Sequence, residues 1–361
     1  MFSKKIVLTV TFLLLSSFGL IGGCGGSSSD SGGGNGGGDN SAFIQQIINN
    51  YVDNIVVETY DILSTRATAL RQAVETLEGN RTQQNLTAAQ QAWISSRVPW
   101  EQSESWLFGP VDFSGFDPAL DSWPVNRTDL DAVLDSGNDL TEGFIANLDP
   151  TLKGFHTAEY ILFDFAIEEL GDREYEYLVA VVRDIETTAQ DLVDSWIVGN
   201  PPFGDLMKGA GNNNVFPSQQ SALEQIIEGM SIILDEVANG KIADPFDNQD
   251  VEAVESQFSF NSRADFADDI RGVQNVYLGN NSLTGLNGPG LNDLVAQTNP
   301  ALATQMEQEI QTAINAILAI PQPFRDAILD PNAADEIEAA QDAINTAFNT
   351  LNAGVLNEIR Q

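Results

Sequence analysis

"AFIQQIINNYVDNIVVETYDILSTRATALRQAVETL" occupies residues 42–77, and its spacing decides the fold class. Apolar side chains recur every three or four positions: Ile44, Ile47, Ile48, Tyr51, Ile55, Val56, Tyr60, Leu63, Ala67, Leu70, Val74 and Leu77. One apolar stripe with a polar back is the pattern of an amphipathic helix, and Gly79 with Asn80 ends it. A second helix is predicted from Thr82 to Arg97, stopping ahead of Pro99 because proline disfavours helical geometry in the residue before it. Asp149 and Pro150 predict an N-cap and first turn for a helix carrying residues 151–165. Further periodic segments run over about 174–197, 218–238, 264–278, 300–320 and 332–359. Strand-like alternation is absent, so the chain reads as all-α, and striped helices of this length are best buried as bundles.

Two irregular stretches interrupt the periodicity, "FGPVDFSGFDPALDSWPVNRTD" and "GNPPFGDLMKGAGNNNVFPS". The second has the glycine, proline and asparagine density of an interdomain connection. It divides the body into an N-terminal helical bundle at 42–199, a linker at 200–217 and a C-terminal bundle at 218–361. "ESWLF" at residues 104–108 resembles "ESQFSF" at 255–260, a weak sign of internal duplication.

The first residues read as an address rather than as fold. Lys4 and Lys5 precede the apolar run "IVLTVTFLLLSSFGL" and then "IGGC". Charge, a short apolar run and small residues describe a secretory signal, whereas a membrane span needs about 20 apolar residues. Residues 1–23 are therefore expected to be a signal peptide. Its end resembles the lipobox of bacterial lipoproteins, which implies cleavage before Cys24 and a lipid on that residue. Cys24 is the only cysteine, and lipidation accounts for a lone thiol in an exported chain. Residues 24–41, "CGGSSSDSGGGNGGGDNS", read as a lipidated cysteine and flexible tether. The expected location is the bacterial cell envelope, anchored to the outer membrane and facing periplasm or cell surface.

The chain carries 52 acidic and 16 basic residues, a net charge of −36. That balance excludes ordinary nucleic-acid binding, which needs basic patches, and it concentrates cations near the surface. Among all these acids stands one histidine, His156, in "TLKGFHTAEYILFDF". On a helix His156 and Glu159 share a face and could give a metal two ligands from one rigid element, or simply hydrogen-bond within a core. Gly154 would let another backbone approach closely. A zincin needs two histidines on one helix, and a cysteine mechanism has only Cys24 to use, so hydrolysis is disfavoured. Carboxylates with one imidazole suit iron, manganese or calcium. "AWISSRVPWEQSESWLFGPVD" adds three tryptophans, Arg97, Glu101, Glu104 and Asp112 at a helix break. "VESQFSFNSRADFADDIRGVQNVYLG" offers Glu255, Ser262, Arg263 and Asp265 before a helix.

"GFHTAE" is similar to the G-x-H-x-x-E signature of the imelysin family. The two stretches just quoted resemble that family's first-half and second-half motifs, in the expected order. The resemblance implies two four-helix-bundle-like domains related by pseudo-two-fold symmetry, with the site between or beside them. It implies His156 and Glu159 as the signature pair and Glu104 as an acidic residue approaching them, these three holding a metal. Arg97, Ser262, Arg263 and Asp265 would form a supporting polar cluster. The family is tied to iron uptake, so iron is the expected ion, with zinc or calcium as further candidates. The expected partners are the membrane, through Cys24, and a metal-uptake permease or receptor. Two alternatives stand beside metal capture: a metallopeptidase using the same His/Glu site, and a non-catalytic surface scaffold or adhesion lipoprotein.

Overall fold

The long stripe forms one continuous rod. Helix α1 runs Gly37–Asn50, widens into a π-helical segment at Tyr51–Val57 and continues through Glu58–Gly79. Buried residues in its middle repeat in steps of four (Ile47/Ile48, Tyr51/Val52, Ile55/Val56, Thr59/Tyr60). That step exceeds the 3.6 residues of an α-turn, and the wider π-turn absorbs the excess. The computed structural model describes residues 37–360. The predicted signal peptide, Cys24 and the tether up to residue 36 lie outside the described residues. Residues 37–41, assigned to the tether by composition, form the first turn of α1, where Ser41 Oγ donates to Gln219 Oε1.

Helix α2 spans Gln83–Ser103, capped by Thr82, whose side chain accepts from Asn85 N. It does not stop before Pro99, as the sequence predicts, but passes through it. Proline removes the donor that Ser95 O would have used, and Arg66 Nη1 donates to that oxygen instead at 2.7 Å. The helix closes with a 3₁₀ turn at Glu104–Trp106. The stretch that follows, irregular by sequence, folds into three short helices at Pro110–Phe113, Phe116–Asp121 and Arg127–Leu134.

Asp149 caps only a 3₁₀ turn, Pro150–Leu152, by accepting from Thr151 N. The chain then extends at Lys153 and starts afresh as α3, Gly154–Phe163. Helix α4, Asp172–Ile197, completes the first half. In that half α1 packs on α2 and α4, and α3 packs on α2 and α4. The glycine-rich connection holds a helix of its own, Phe203–Lys208, whose Phe203 ring sits 5.0 Å from Trp196 and 5.9 Å from Phe216.

The second half repeats the arithmetic with α5 (Gln219–Asp235), α6 (Ser262–Leu278), α7 (Pro300–Ala319) and α8 (Ala334–Thr350). Helix α5 continues through a π-helical segment, Glu236–Ala243, into Asp244–Asn248. In this half α5 and α7 each pack on both α6 and α8. Beyond the helices, the described residues contain one isolated antiparallel bridge, Asn280 with Asn287, so the fold is all-α. None of the described helices is long and apolar enough to cross a membrane.

The described residues from 38 to 360 pack as one compact unit, because α2 of the first half lies against α6 of the second. Gly272 permits that crossing: a Cβ there would stand 2.2 Å from Gln102 O. Four fully buried tryptophans, Trp93, Trp100, Trp106 and Trp196, fill the interior of the first half. The polar residues of interest are set into this apolar surround.

Candidate metal centre

Gly154 brings the histidine to its partners. Its φ is +75°, a conformation that other residues adopt only at a cost, and a Cβ would lie 2.4 Å from Leu120 O. Leu120 precedes Asp121 in sequence, so the close approach sets Asp121 against the first turn of α3. Asp121 Oδ1 stands 3.1 Å from His156 Nε2. The backbone approach expected at Gly154 is thus present.

On the other side of the ring, His156 Nδ1 lies 2.9 Å from Glu159 Oε2. Glu159 Oε1 accepts from Phe258 N at 3.0 Å and from Ser259 N and Ser259 Oγ at 2.8 Å each. A carboxylate can only accept, so Nδ1 carries a proton, and in the neutral ring Nε2 is left with its lone pair. This is the arrangement in which a carboxylate behind a histidine orients it for a cation in front. Glu159, expected beside His156 as a second ligand, stands on the far side of the ring from Asp121.

The space in front of Nε2 is built from acids. Glu255 Oε1 lies 3.7 Å from it, and Asp121, His156 and Glu255 present ligand atoms within 4.8 Å of one another, all buried. Arg97 clamps both carboxylates. Its Nη2 donates to Glu255 Oε1 at 2.7 Å, its Nη1 pairs with Asp121 Oδ1, and its Nη2 also pairs with Glu101. Trp100 Nε1 holds Asp121 Oδ2 at 2.7 Å. His156 is 2% exposed, and its Nε2 makes no aligned hydrogen bond in spite of these neighbours. A buried nitrogen without a hydrogen bond, faced by two carboxylates, fits a transition-metal cation with mixed nitrogen and oxygen donors.

A second set of acids surrounds Lys241, in the π-helical continuation of α5. Its Nζ lies 2.7 Å from Glu104 Oε2, 3.2 Å from Glu255 Oε2, 3.3 Å from Glu101 Oε2 and 3.2 Å from Asp269 Oδ2. Asp265 completes the cluster, accepting from Ser256 Oγ at 2.5 Å and Asn261 Nδ2 at 2.6 Å, with Arg97 Nε 3.7 Å away. Six buried carboxylates (Glu101, Glu104, Asp121, Glu255, Asp265, Asp269) thus face two permanently charged cations, Arg97 and Lys241. Such an excess of buried negative charge is costly unless protons or a further cation offset it.

The environment divides these acids into two groups. Burial alone would raise Asp121, but Arg97 and His156 outweigh it and hold its carboxyl well below the usual range. Burial also opposes ionisation of Glu255, and Lys241, His156 and Arg97 together hold it below its ordinary value. The remaining acids go the other way. Burial pushes Glu101, Glu104 and Asp269 well above theirs and pushes Asp265 up to about 7. For His156 burial favours the neutral ring, but Asp121, Glu159 and Glu255 outweigh it and raise the imidazole well above its usual pKa. A metal cation held at Nε2 would have to displace the proton these carboxylates favour there.

Arg97, Glu104, His156, Glu159, Ser262 and Asp265 all converge on this interior. Ser262 supports it by donating from Oγ to Glu255 O at 2.5 Å. Arg263 does not join the cluster: its Nη1 donates to Leu318 O and Ile320 O at 2.9 Å each. It tethers the end of α7 because residue 263 lies one position round the helix from Ser262 and faces outward. Asp121, Lys241 and Asp269 were not singled out from sequence. Glu104 and Glu255, from the two matching Glu-Ser pairs, meet at Lys241, although one ends α2 and the other precedes α6.

Comparison with known proteins agrees with this architecture. The Imelysin family model matches residues 56–351. Iron-regulated protein A of Synechococcus elongatus is 34% identical over 314 residues, covering 86% of this chain and 85% of that protein. The crystal structure of an iron-regulated protein A precursor from Parabacteroides distasonis superposes with a TM-score of 0.79 at 30% identity, over 88% of this chain and 95% of that one. An imelysin-like protein from Psychrobacter arcticus shares the fold at a TM-score of 0.73 and 12% identity, over 89% and 96% of the two chains. The match over most of the length places this chain in the imelysin family.

Proposed function

We propose that this protein captures a divalent metal ion, iron before zinc or calcium, as a lipoprotein of the bacterial cell envelope, and holds it for uptake or sequestration. The ligands in this reading are His156 Nε2, Asp121 and Glu255. Glu159 orients the ring from behind, Arg97 fixes the two carboxylates, and Glu104 belongs to the acids around Lys241. The observation that carries the reading is the buried Nε2 that faces two carboxylates without an aligned hydrogen bond. One nitrogen and two oxygens suit Fe²⁺ or Mn²⁺ better than copper, and two relatives bear an iron-regulated name. Cys24 would carry the lipid, at an outer membrane facing periplasm or cell surface, and a permease or receptor would receive the ion. The test is the metal content of protein purified without chelator, beside His156→Ala and Asp121→Asn. Stoichiometric iron in the parent and its loss in both variants is expected. No metal above background, with both variants merely less stable, would leave a scaffold of ion pairs between helices.

A further inference from the structure

We propose that Lys241 is a resident cation that fills a second carboxylate box beside the His156 site and so limits the protein to a single metal ion. The inference rests on the metal-capture reading above and goes one step further, to stoichiometry. The cluster contains two overlapping donor groups. One is Asp121, His156 and Glu255; the other is Glu101, Glu104, Asp121 and Glu255, again with ligand atoms within 4.8 Å of one another. Two glutamates three apart at the end of α2, joined by two acids shared with a histidine site, have the make-up of a two-metal carboxylate centre in a helical bundle. Asp121 and Glu255 belong to both groups, and Glu255 spans them: its Oε1 faces His156 and Arg97, and its Oε2 faces Lys241.

Lys241 stands among three members of that second group, Glu101, Glu104 and Glu255, with Asp269 rather than Asp121 as its fourth partner. Its side chain is fully buried, and four carboxylate groups lie 2.7–3.3 Å from its Nζ. An ammonium has three protons to give, so it cannot satisfy four carboxylates, and Asp269 Oδ1 is buried with no hydrogen bond at all. The donor set is therefore larger than a lysine requires. The π-helical winding of Glu236–Ala243 buries Lys241 and Ile242 together on the inner side, and such turns recur where a helix departs from regularity for a functional reason. Unlike a bound ion, a tethered ammonium cannot dissociate, so it neutralises the box permanently and leaves one exchangeable place.

The deciding experiment is a Mn²⁺ titration of the full chain and of Lys241→Ala, read by calorimetric stoichiometry and by electron paramagnetic resonance. One isolated Mn²⁺ is expected in the parent. In Lys241→Ala two are expected, spin-coupled through Glu255, or a fold that forms only when Mn²⁺ is present. One ion in each, with the variant folded without metal, overturns the role of Lys241 and leaves the His156 site standing. No ion in the parent removes both readings. If Lys241→Ala folds under neither condition, the parent spectrum decides: an isolated ion at saturation supports the inference, and a spin-coupled pair overturns it.

Discussion

His156 Nδ1 and Glu159 Oε2 lie 2.9 Å apart, and the opposite oxygen of Glu159 is bound by Phe258 N, Ser259 N and Ser259 Oγ. One carboxylate thus fixes both the proton position of the only imidazole and the segment that carries Glu255. Glu159→Gln separates the two roles. The amide oxygen can still accept from Phe258 and Ser259, so the fold should persist. The amide nitrogen, however, can only donate towards Nδ1, which moves the proton of the neutral ring to Nε2, the atom a cation needs. Metal affinity should fall by about 10–100-fold, the usual effect of losing such a partner, with little change in thermal stability. Equal affinity in Glu159→Gln and parent, measured by competition with a chelating dye, would show that Glu159 does not orient the ring.

Gly154→Ala should damage the site from behind. The new Cβ would meet Leu120 O at 2.4 Å on a backbone of φ +75°. Left-handed strain costs roughly 1–2 kcal/mol and overpacking roughly 1–3 kcal/mol, so a loss of about 2–5 kcal/mol is expected in urea denaturation. Because Leu120 adjoins Asp121, metal affinity should fall as well. Gly137→Ala, where a Cβ meets nothing within 4 Å, should stay within about 0.5 kcal/mol of the parent. Similar stabilities for the two variants would contradict the close approach.

Much of the fold was legible because it rests on local periodicity. Eleven of the twelve stripe residues of α1, from Ile47 to Leu77, are buried as their spacing requires, and Ile44 at the end is partly exposed. Pro99 was misread because the compensation comes from Arg66, on a different helix. His156, Glu159 and Glu104 stood out through rarity or motif. Asp121 and Lys241 did not, because their meaning lies in distant partners: Lys241 reaches Glu101 across 140 positions. In sequence Lys241 is a single lysine after an Asn-Gly pair, and Asp121 is one of 52 acids. The one available cue was the density of acids at residues 101, 104, 255, 265 and 269 opposite so few basic residues.

Arg97→Lys tests whether the fork matters or only the charge. The guanidinium bridges Asp121 and Glu255, reaches Glu101 and lies 5.7 and 5.3 Å from the Trp93 and Phe155 ring centres. A lysine keeps one positive charge but cannot hold two carboxylates in a plane. A loss of about 1–3 kcal/mol is expected from the displaced hydrogen bonds. Arg97→Met should cost more, about 3–5 kcal/mol, because it leaves buried carboxylates uncompensated. If Arg97→Lys melts with the parent while Arg97→Met does not, charge alone explains the residue.

Asp117 links the acidic interior to pH. Burial, with Asp121 and Glu236 nearby, pushes its carboxyl up to about 7, against about 3.9 in an unfolded chain. A raised acid binds its proton more tightly in the folded state, so its contribution to stability is most favourable below about pH 4. That contribution is lost as pH rises towards 7, where the folded carboxyl finally ionises. Three pKa units correspond to about 4 kcal/mol at most; Asp117 is partly exposed, and water screening reduces this to about 2 kcal/mol. Asp117→Asn never ionises. In chelator, its stability relative to the parent should therefore be about 2 kcal/mol better at pH 8 than at pH 4.5, measured by urea denaturation at both. A difference that does not change with pH would mean that Asp117 titrates near its ordinary value, and that the acids around Asp121 repel one another less than their spacing implies.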